Sequence, residues 1–270
     1  MSVDTAAIEL SYLGWSGFRL TWPDGPQVVL DPPDATSLRP EQETWLLLSH
    51  GHPEHVAGAI SHLGNEGRTA PVTVVASAPV CRHFERRYGR AKDRFLPCQP
   101  GQTVSLPNLS IDVFSWRHMR LIPPGFKAAF QHVCQVASSP GLAFQIIRKS
   151  LWGPRAGAML GFRLVSKGGP RILWYSEGLH RLTGADQARR TGQQLESEVL
   201  LFAIEPEDLH VITNLLNAVG SPVVIPYEPH RRWREEFGMP VVDLACLVEE
   251  LQGHGLRAPL LAPGESLSLS

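Results

Sequence analysis

The sequence predicts an α/β fold of four layers, in which two β-sheets pack face to face and helices cover both outer faces. Three observations predict it. Strand-like segments dominate the first part of the chain, strands alternate with helices in the last part, and 43% of the 270 residues are hydrophobic. A chain of this length and composition can bury a substantial core, so we expect one domain over residues 1–270.

The first part of the chain predicts strands joined by short turns, followed by helices. Alternating or uniformly apolar segments predict strands at residues 8–13, 18–22, 27–30, 46–48 and 72–76. Pro23-Asp24-Gly25 predicts the turn between the second and third of these strands. Helices are predicted at 56–63, with Pro53 near the first turn, and at 79–88.

The rest of the chain predicts two hairpins and then strands separated by helices. The expected hairpins join 103–106 to 109–114 and 161–165 to 171–175. Short buried strands are expected at 199–204, 223–225 and 260–262, with helices between them at 208–218 and 243–254. Strand pairs early and strand–helix alternation late place two sheets inside and the helices outside.

A histidine-rich loop follows the apolar strand predicted at 46–48. The loop reads Ser49-His50-Gly51-His52-Pro53-Glu54-His55, with three imidazoles and a carboxylate within six residues. Imidazole nitrogen and carboxylate oxygen are the ligands that borderline divalent ions such as zinc prefer. A polar loop rich in histidine by chance is the plain alternative, but the spacing directly after a strand favours a metal site.

Three further strand ends carry residues that can bind a metal. His118 follows the strand that ends at Phe114, Glu177 follows the strand that ends at Tyr175, and His230 follows the strand predicted at 223–225. Loops at strand ends converge on one edge of a layered sheet. We therefore expect these side chains to join the histidine loop in one metal site.

The chain resembles the metallo-β-lactamase-fold superfamily, whose motif His-x-His-x-Asp-His follows an apolar strand and is matched here by residues 50–55. Its opening, 13–18 and 29–32, and its close, 261–265, are similar to the branch of ascorbate-6-phosphate lactonase-like and N-acyl phosphatidylethanolamine phospholipase-like hydrolases. The resemblance covers nearly the whole chain and implies an αββα sandwich. The least typical part, 119–160, is expected to be an inserted, basic and partly helical lid.

The resemblance implies two sets of metal ligands and a bridge. The first ion would be held by His50, His52 and His118, and the second by Glu54, His55 and His230. Glu177 stands where the family usually has an aspartate bridging the two ions. Asp31 matches a family aspartate close to the site, and we expect it to fix the tautomer of a histidine.

Three residues depart from the family pattern. Both family aspartates are glutamates here, Glu54 and Glu177, and the longer side chain can ligate an ion that shifts or leave the ligand shell and carry protons. Glu54 is therefore a candidate catalytic residue as well as a candidate ligand. Trp15 stands where the branch often has histidine, and it can form an aromatic wall beside the substrate or belong to the core.

The chemistry that follows is hydrolysis. Two divalent ions about 4 Å apart can hold a bridging hydroxide and polarise a carbonyl or phosphoryl oxygen, so we expect attack on an ester-type bond such as a phosphodiester or lactone. Zinc is the first expectation, and manganese and iron stay open. His180, three residues after Glu177, is a candidate proton donor to the leaving group; an exposed loop histidine is the alternative.

Charge in the predicted lid indicates the substrate. From Val113 to Ser176 there is no Asp or Glu, whereas nine Arg and Lys lie inside this segment. A basic, partly apolar lid suits an anionic small molecule, and the candidate substrate contacts in it are Lys127, His132 and Arg148. The alternative is a solvated insertion whose positive charges offset acids elsewhere in the chain.

Other functions are less favoured by the sequence. A di-iron or di-manganese oxidative enzyme, a nuclease and a non-catalytic protein with the same fold remain alternatives. The net charge of −1 indicates no nucleic-acid partner, and the absence of a long apolar stretch indicates no integral membrane association. The start has no signal-peptide pattern, and the four cysteines are far apart. We expect a soluble, cytoplasmic protein and leave a homo-oligomer open.

Overall fold

Two β-sheets run through the chain in a computed structural model that describes residues 8–269 except 23–24, 35, 37, 119–140 and 142–152. The described strands are β1 (Ile8–Gly14), β2 (Gly17–Thr21), β3 (Gln27–Leu30), β4 (Thr44–Leu47), β5 (Val72–Ser77), β6 (Arg94–Cys98), β7 (Thr103–Leu106), β8 (Leu109–Ser115), β9 (Leu160–Ser166), β10 (Arg171–Trp174), β11 (Val199–Ala203), β12 (Val223–Tyr227) and β13 (Ser266–Leu269).

The described helices are α1 (Pro53–Gly64), α2 (Ala78–Tyr88), α3 (Ala185–Gln194), α4 (Leu209–Val219), α5 (Arg231–Glu236) and α6 (Leu244–Gly253), and a short 3-10 turn covers Pro206–Asp208. Among the described residues, no helix is both long enough and apolar enough to cross a membrane.

The two sheets have mixed strand directions. The first sheet has the order β13-β1-β2-β3-β4-β5-β6 and the second has the order β12-β11-β10-β9-β8-β7. Strands β3 to β6 run parallel, and so do β10, β11 and β12, whereas β8, β9 and β10 alternate in direction. Strand β8 therefore runs in the same direction as β10 to β12, and the carboxyl ends of these four strands lie at one edge of the second sheet.

Three hydrophobic clusters lie between four layers, which confirms the predicted four-layer α/β class. Along β4, alternate side chains enter different clusters: Trp45 and Leu47 face the second sheet, while Leu46 and Leu48 face α1 and α2. This period of two is the pattern of a strand that is buried on both faces. A third cluster packs the outer face of the second sheet against α3, α4 and α6.

Most predicted elements are present, with differences near the end of the chain. The strand expected at 260–262 is absent, because these residues lie in an irregular segment that leads into β13. Strand β13 pairs with β1, so the chain closes the first sheet at its own beginning. The sequence pattern does not predict β6, β13, α3 or α5. Helix α3 buries only Ala188 and Gly192, so it carries almost no apolar periodicity.

His62 lies on α1 but does not face solvent. It is buried on α1 with 2% exposure, near an ion pair between the buried side chains of Arg68 and Asp93 whose Nη2 and Oδ2 atoms lie 2.7 Å apart. The apolar pattern of α1 alone does not predict the burial of His62, because the ion pair comes from residues after the helix.

Candidate metal centre

The candidate metal residues lie where the carboxyl ends of both sheets meet. Asp31 and His50 follow the parallel strands β3 and β4 of the first sheet, and His118, Glu177 and His230 follow β8, β10 and β12 of the second. Two of these ends have strained backbone: Asp31 has φ 36° and Ser176, next to Glu177, has φ 51°. Strain in non-glycine residues concentrates at sites that the surrounding structure holds for function.

Asp31 holds the histidine loop in place through three hydrogen bonds. It is fully buried and accepts hydrogen bonds from the backbone N of Ser49 at 2.8 Å, from Ser49 Oγ at 2.5 Å and from His55 Nδ1 at 2.6 Å. Because the single hydroxyl proton of Ser49 goes to Asp31, Ser49 Oγ accepts from His50 Nδ1, which lies 2.9 Å away. His50 and His55 therefore carry their protons on Nδ1 and turn Nε2 toward the cleft.

The first group that could hold an ion contains His50, His52 and His118. One nitrogen of each lies within 4.8 Å of the others, and His50 Nε2 is 3.0 Å from His52 Nδ1. Two nitrogens bound to one zinc at about 2.0–2.1 Å lie about 2.9–3.4 Å apart for angles between 90° and tetrahedral. The indole of Trp116 stacks on His118, with ring centroids 5.8 Å apart, and supports it.

The second group surrounds the buried carboxylate of Glu177. Its Oε1 lies 3.2 Å from His55 Nε2 and 3.6 Å from His230 Nε2, and its Oε2 lies 3.7 Å from His118 Nε2. His50, His55 and Glu177 form the second set of donors within 4.8 Å of one another. Glu177 thus touches imidazoles from both sheets, as a bridging ligand requires.

The charge distribution in this cleft favours the binding of a positive charge. Burial opposes ionisation of Glu177, but His55 and His230 outweigh it and hold its pKa well below the ordinary value. Burial also opposes protonation of His230, yet Glu177 and Glu205 raise its pKa to about 9. Burial lowers the pKa of His50 well below its ordinary value, so this imidazole is a neutral donor.

The donor set fits divalent cations. Within the described part of the chain, neither oxygen of Glu177 receives a hydrogen bond of good geometry, and His55 Nε2 also has none. Buried polar atoms without partners are costly, and atoms that converge on one cleft can recover that cost by coordinating a cation. Imidazoles with a single carboxylate suit zinc, and also iron or manganese.

Glu54 lies at the margin of the cluster. It is in the first turn of α1, its Oε1 is 3.8 Å from His52 Nδ1, and its side chain is 10% exposed. It belongs to neither three-residue group. The structure thus places Glu54 next to the cleft with access to solvent, while its role as ligand or proton carrier stays a prediction.

His180 lies outside the cleft. It is buried with 1% exposure; its Nε2 donates to the carbonyl of Arg117 at 2.6 Å, and its Nδ1 accepts from the backbone N of Leu182 at 3.1 Å. Both ring nitrogens are used by backbone groups, so the expected proton donation to a leaving group has no support in this arrangement. His180 instead holds the segment that carries His118.

Two successive ring contacts connect Trp15 to the cleft. Its ring meets Trp233 edge to face with centroids 4.9 Å apart, and Trp233 stacks on His230 with centroids 5.6 Å apart. Trp15 is only partly buried and has φ 51°, unusual for a large side chain. An aromatic wall near His230 remains the prediction for Trp15. Lys127, His132 and Arg148 lie outside the described residues.

Residues 153–159 cover the histidine loop. The backbone N of Gly51 donates to Ala156 O at 2.9 Å, and the Leu160 N donates to Ser49 O at 2.9 Å. A Cβ on Gly51 would collide with the Arg155 carbonyl, so only glycine permits this approach between two ligand histidines. The end of the predicted lid is thus fixed to the candidate site.

Several residues of the site were not found from the sequence. Glu205 accepts from His230 Nδ1 at 2.7 Å and pairs with Arg234, whose Nε lies 2.5 Å from Oε2. Glu205 follows β11 just as Glu177 follows β10, so the rule that ligands follow strands could have found it. Ser49 and Trp233 carry no such signal, because their roles depend on contacts between distant loops.

Known solved structures share this fold. Igni18, a metallo hydrolase from the archaeon Ignicoccus hospitalis, is 13% identical, with a TM-score of 0.65, and the alignment covers 98% of this chain and 99% of that one. The metallo-β-lactamase fold protein YhfI from Bacillus subtilis is 9% identical with a TM-score of 0.60, covering 97% and 99%. Neither family models nor curated proteins match the sequence.

A third similar structure has different chemistry. CmlA, a diiron β-hydroxylase from Streptomyces venezuelae, is 12% identical with a TM-score of 0.59 over 98% of this chain and 54% of that one. This chain thus spans about half the length of CmlA. Together these similarities show that the chain has the metallo-β-lactamase fold, whereas the narrower lactonase-like or phospholipase-like branch stays a prediction.

Proposed function

We propose that this protein is a metal-dependent hydrolase that cleaves an ester-type bond, such as a phosphodiester or lactone, in an anionic small molecule. The observation that carries the proposal is the convergence of imidazoles from both sheets on the buried carboxylate of Glu177. Such a set of donors has no purpose in packing, because burying it without a cation is unfavourable.

The residues divide into two ligand sets in this proposal. His50, His52 and His118 hold one ion, and His55 and His230 hold the second, with Glu177 between them. Divalent ions there would supply a nucleophile from water at neutral pH and draw electrons from a carbonyl or phosphoryl oxygen. Hydrogen bonds from Nδ1 to Ser49, Asp31 and Glu205 keep the facing Nε2 atoms available as donors.

Glu54 is proposed as the proton carrier of the site. It lies 3.8 Å from His52 at the solvent side of the cluster, and a carboxylate there can accept a proton from water and pass it to a leaving group. The extra methylene relative to aspartate gives this side chain the reach to move between the cleft and solvent.

Exposed arginines beside the ligands support an anionic substrate. Arg117 directly precedes His118, and Arg155 lies in the segment that covers Gly51. Both side chains are exposed, so they can meet a charged group that enters from solvent. Lys127, His132 and Arg148 remain proposed substrate contacts on the grounds of sequence alone.

An oxidative enzyme is the second candidate. It is favoured by the similarity to the diiron β-hydroxylase CmlA and by glutamate at position 177, because carboxylates suit iron and manganese. The chain's own residues would hold the ions in the same way, so the metal and the reaction must be separated by experiment.

The test begins with metal-free protein reconstituted with zinc, manganese or iron. Its metal content is measured, and phosphodiesters, lactones and thioesters are screened for hydrolysis. We expect metal-dependent hydrolysis that His52→Ala abolishes and that the control His254→Ala, an exposed residue at the end of α6, leaves unchanged. Oxygen consumption by the iron form with no hydrolysis by any form would instead support the oxidative enzyme.

A further inference from the structure

The side chain that orients His230 comes from a different strand end. Glu205 follows β11, is 1% exposed, and its Oε1 lies 2.7 Å from His230 Nδ1. The neighbouring backbone is fixed as well, because the N of Ile204 donates to the carbonyl of Tyr227 at 2.9 Å. The carboxylate therefore reaches His230 from a rigid part of the second sheet.

Arg234 pairs with this carboxylate. Its Nε lies 2.5 Å from Glu205 Oε2, and its Nη2 lies 2.7 Å from Oε2 of Glu207. A carboxylate paired with a guanidinium accepts hydrogen bonds from its other neighbours. His230 then holds a proton on Nδ1 toward Glu205 and turns Nε2 toward Glu177.

Helix α5 brings the two partners of Glu205 together. His230 directly precedes the helix, and the backbone N of Arg234 donates to the carbonyl of His230 at 2.9 Å. One helical turn thus places Arg234 above His230, so that both side chains point at Glu205. Trp233 on the same turn stacks on the imidazole and restricts its rotation.

His55 has the same kind of partner on the first sheet. Asp31 accepts from His55 Nδ1 at 2.6 Å, whereas His50 Nδ1 faces only the hydroxyl of Ser49. The imidazoles next to Glu177 Oε1 are therefore both backed by carboxylates, whereas His50 is backed by a hydroxyl. A carboxylate partner raises the basicity of a ligand imidazole and fixes its direction.

We infer that Glu205, held by Arg234, is a positioning residue that sets the affinity of the second ion through His230. The inference rests on the metal centre of the proposed function. It predicts that loss of the Glu205 charge weakens the binding of the second ion and leaves the binding of the ion held by His50, His52 and His118 unchanged.

The experiment compares Glu205→Gln with Glu207→Gln, which removes the exposed partner of Arg234 only. Co2+ binding to the metal-free proteins is titrated against a chelator, and the visible spectrum of each ion is recorded. We expect Glu205→Gln to bind the weaker ion about 10–100-fold less tightly, with an altered spectrum, and Glu207→Gln to behave as wild type. Unchanged affinity for both ions, even with lower thermal stability, would reduce Glu205 to a structural residue and overturn the inference.

A second variant covers the case in which Glu205→Gln does not fold. The double variant Glu205→Gln/Arg234→Gln removes both buried charges together, which avoids leaving a lone cation, and it is expected to show the same selective loss. Metal binding is measured without substrate, so failure of this inference can be distinguished from failure of the proposed function. Wild-type protein that binds two ions but hydrolyses nothing contradicts the proposed function alone, and wild-type protein that binds one ion or none overturns this inference.

Discussion

Asp31 and His55 form a buried pair that joins two elements of the first sheet, with Oδ2 of Asp31 2.6 Å from Nδ1 of His55. Asp31 directly follows β3, and His55 lies in the first turn of α1. The backbone around them is close as well, because the N of Gly58 donates to the carbonyl of Pro32 at 3.0 Å. The position of one candidate ligand, His55, is thus set by the loop after a neighbouring strand.

His52→Ala should remove bound metal and leave a folded protein. His52 belongs to the first group of donors, and its side chain is 25% exposed, so its loss costs little packing. Elemental analysis and circular dichroism check this, with His254→Ala as the matched control. Full metal content in the His52 variant would show that the ligand assignment is wrong.

Glu177→Gln should weaken metal binding in both groups. The amide has the same shape as the carboxylate but no charge, and it lies between His55, His118 and His230. Because a neutral bridge cannot balance two divalent ions, we expect a loss of at least ten-fold in affinity, measured by competition with a chelator. Wild-type occupancy of both positions would make Glu177 a bystander.

Arg155→Ala should raise KM for an anionic substrate and leave kcat nearly unchanged. The exposed guanidinium would contribute about 1 kcal/mol to binding, or about five-fold in KM. Arg189→Ala, on the outer helix α3 and paired with Asp186, is the control. Charge reversal of Lys127 or Arg148 is expected to act in the same direction, and an unchanged KM in all three would argue against an anionic substrate.

Asp93→Ala should destabilise the fold without affecting the metal. Asp93 and Arg68 are both buried, and Asp93 also accepts from the backbone N of Val72 and of Arg90 at 3.1 Å each. Removing one partner of a buried ion pair costs about 3–5 kcal/mol, measured by urea unfolding. The exposed pair of Asp186 and Arg189 gives the comparison: Asp186→Ala should cost less than about 1 kcal/mol.

His62 should make the fold less stable in mild acid. Burial, helped by Arg68, lowers its pKa from 6.5 to about 4. Between these two values the unfolded chain binds a proton that the folded chain does not, so the free energy of unfolding falls as the pH falls through this window. His62→Gln should show a weaker decrease than the wild type, and His254→Gln the same decrease; equal curves for all three proteins would contradict the shift.

Much of the candidate site could be predicted because its signals are local. His50, His52 and His55 lie together in the sequence, and His118, Glu177 and His230 each follow a recognisable strand. Glu205 also follows a strand, but no local pattern links it to its partner His230, which is 25 residues away in sequence. The site depends on this pairing, which only the folded arrangement of β11 and β12 provides.

His180 shows why closeness along the chain is a weak guide to a shared site. Its position three residues after Glu177 suggested the cleft, but its ring nitrogens bond backbone groups, one of them on Arg117, 63 residues earlier. A short distance along the chain does not imply that two side chains point in the same direction. The irregular segment at 260–262 could likewise not be distinguished from a strand, because its hydrophobicity resembles that of a short buried strand.

The donors are divided evenly between the two sheets: His50, His52 and His55 belong to the first, and His118, Glu177 and His230 to the second. Any cation bound by both sets therefore also fastens the two halves of the sandwich at their open edge. A chelator would then do more than stop turnover. It would lower the melting temperature of the whole protein, so that metal supply would govern how long the molecule survives as well as how fast it works.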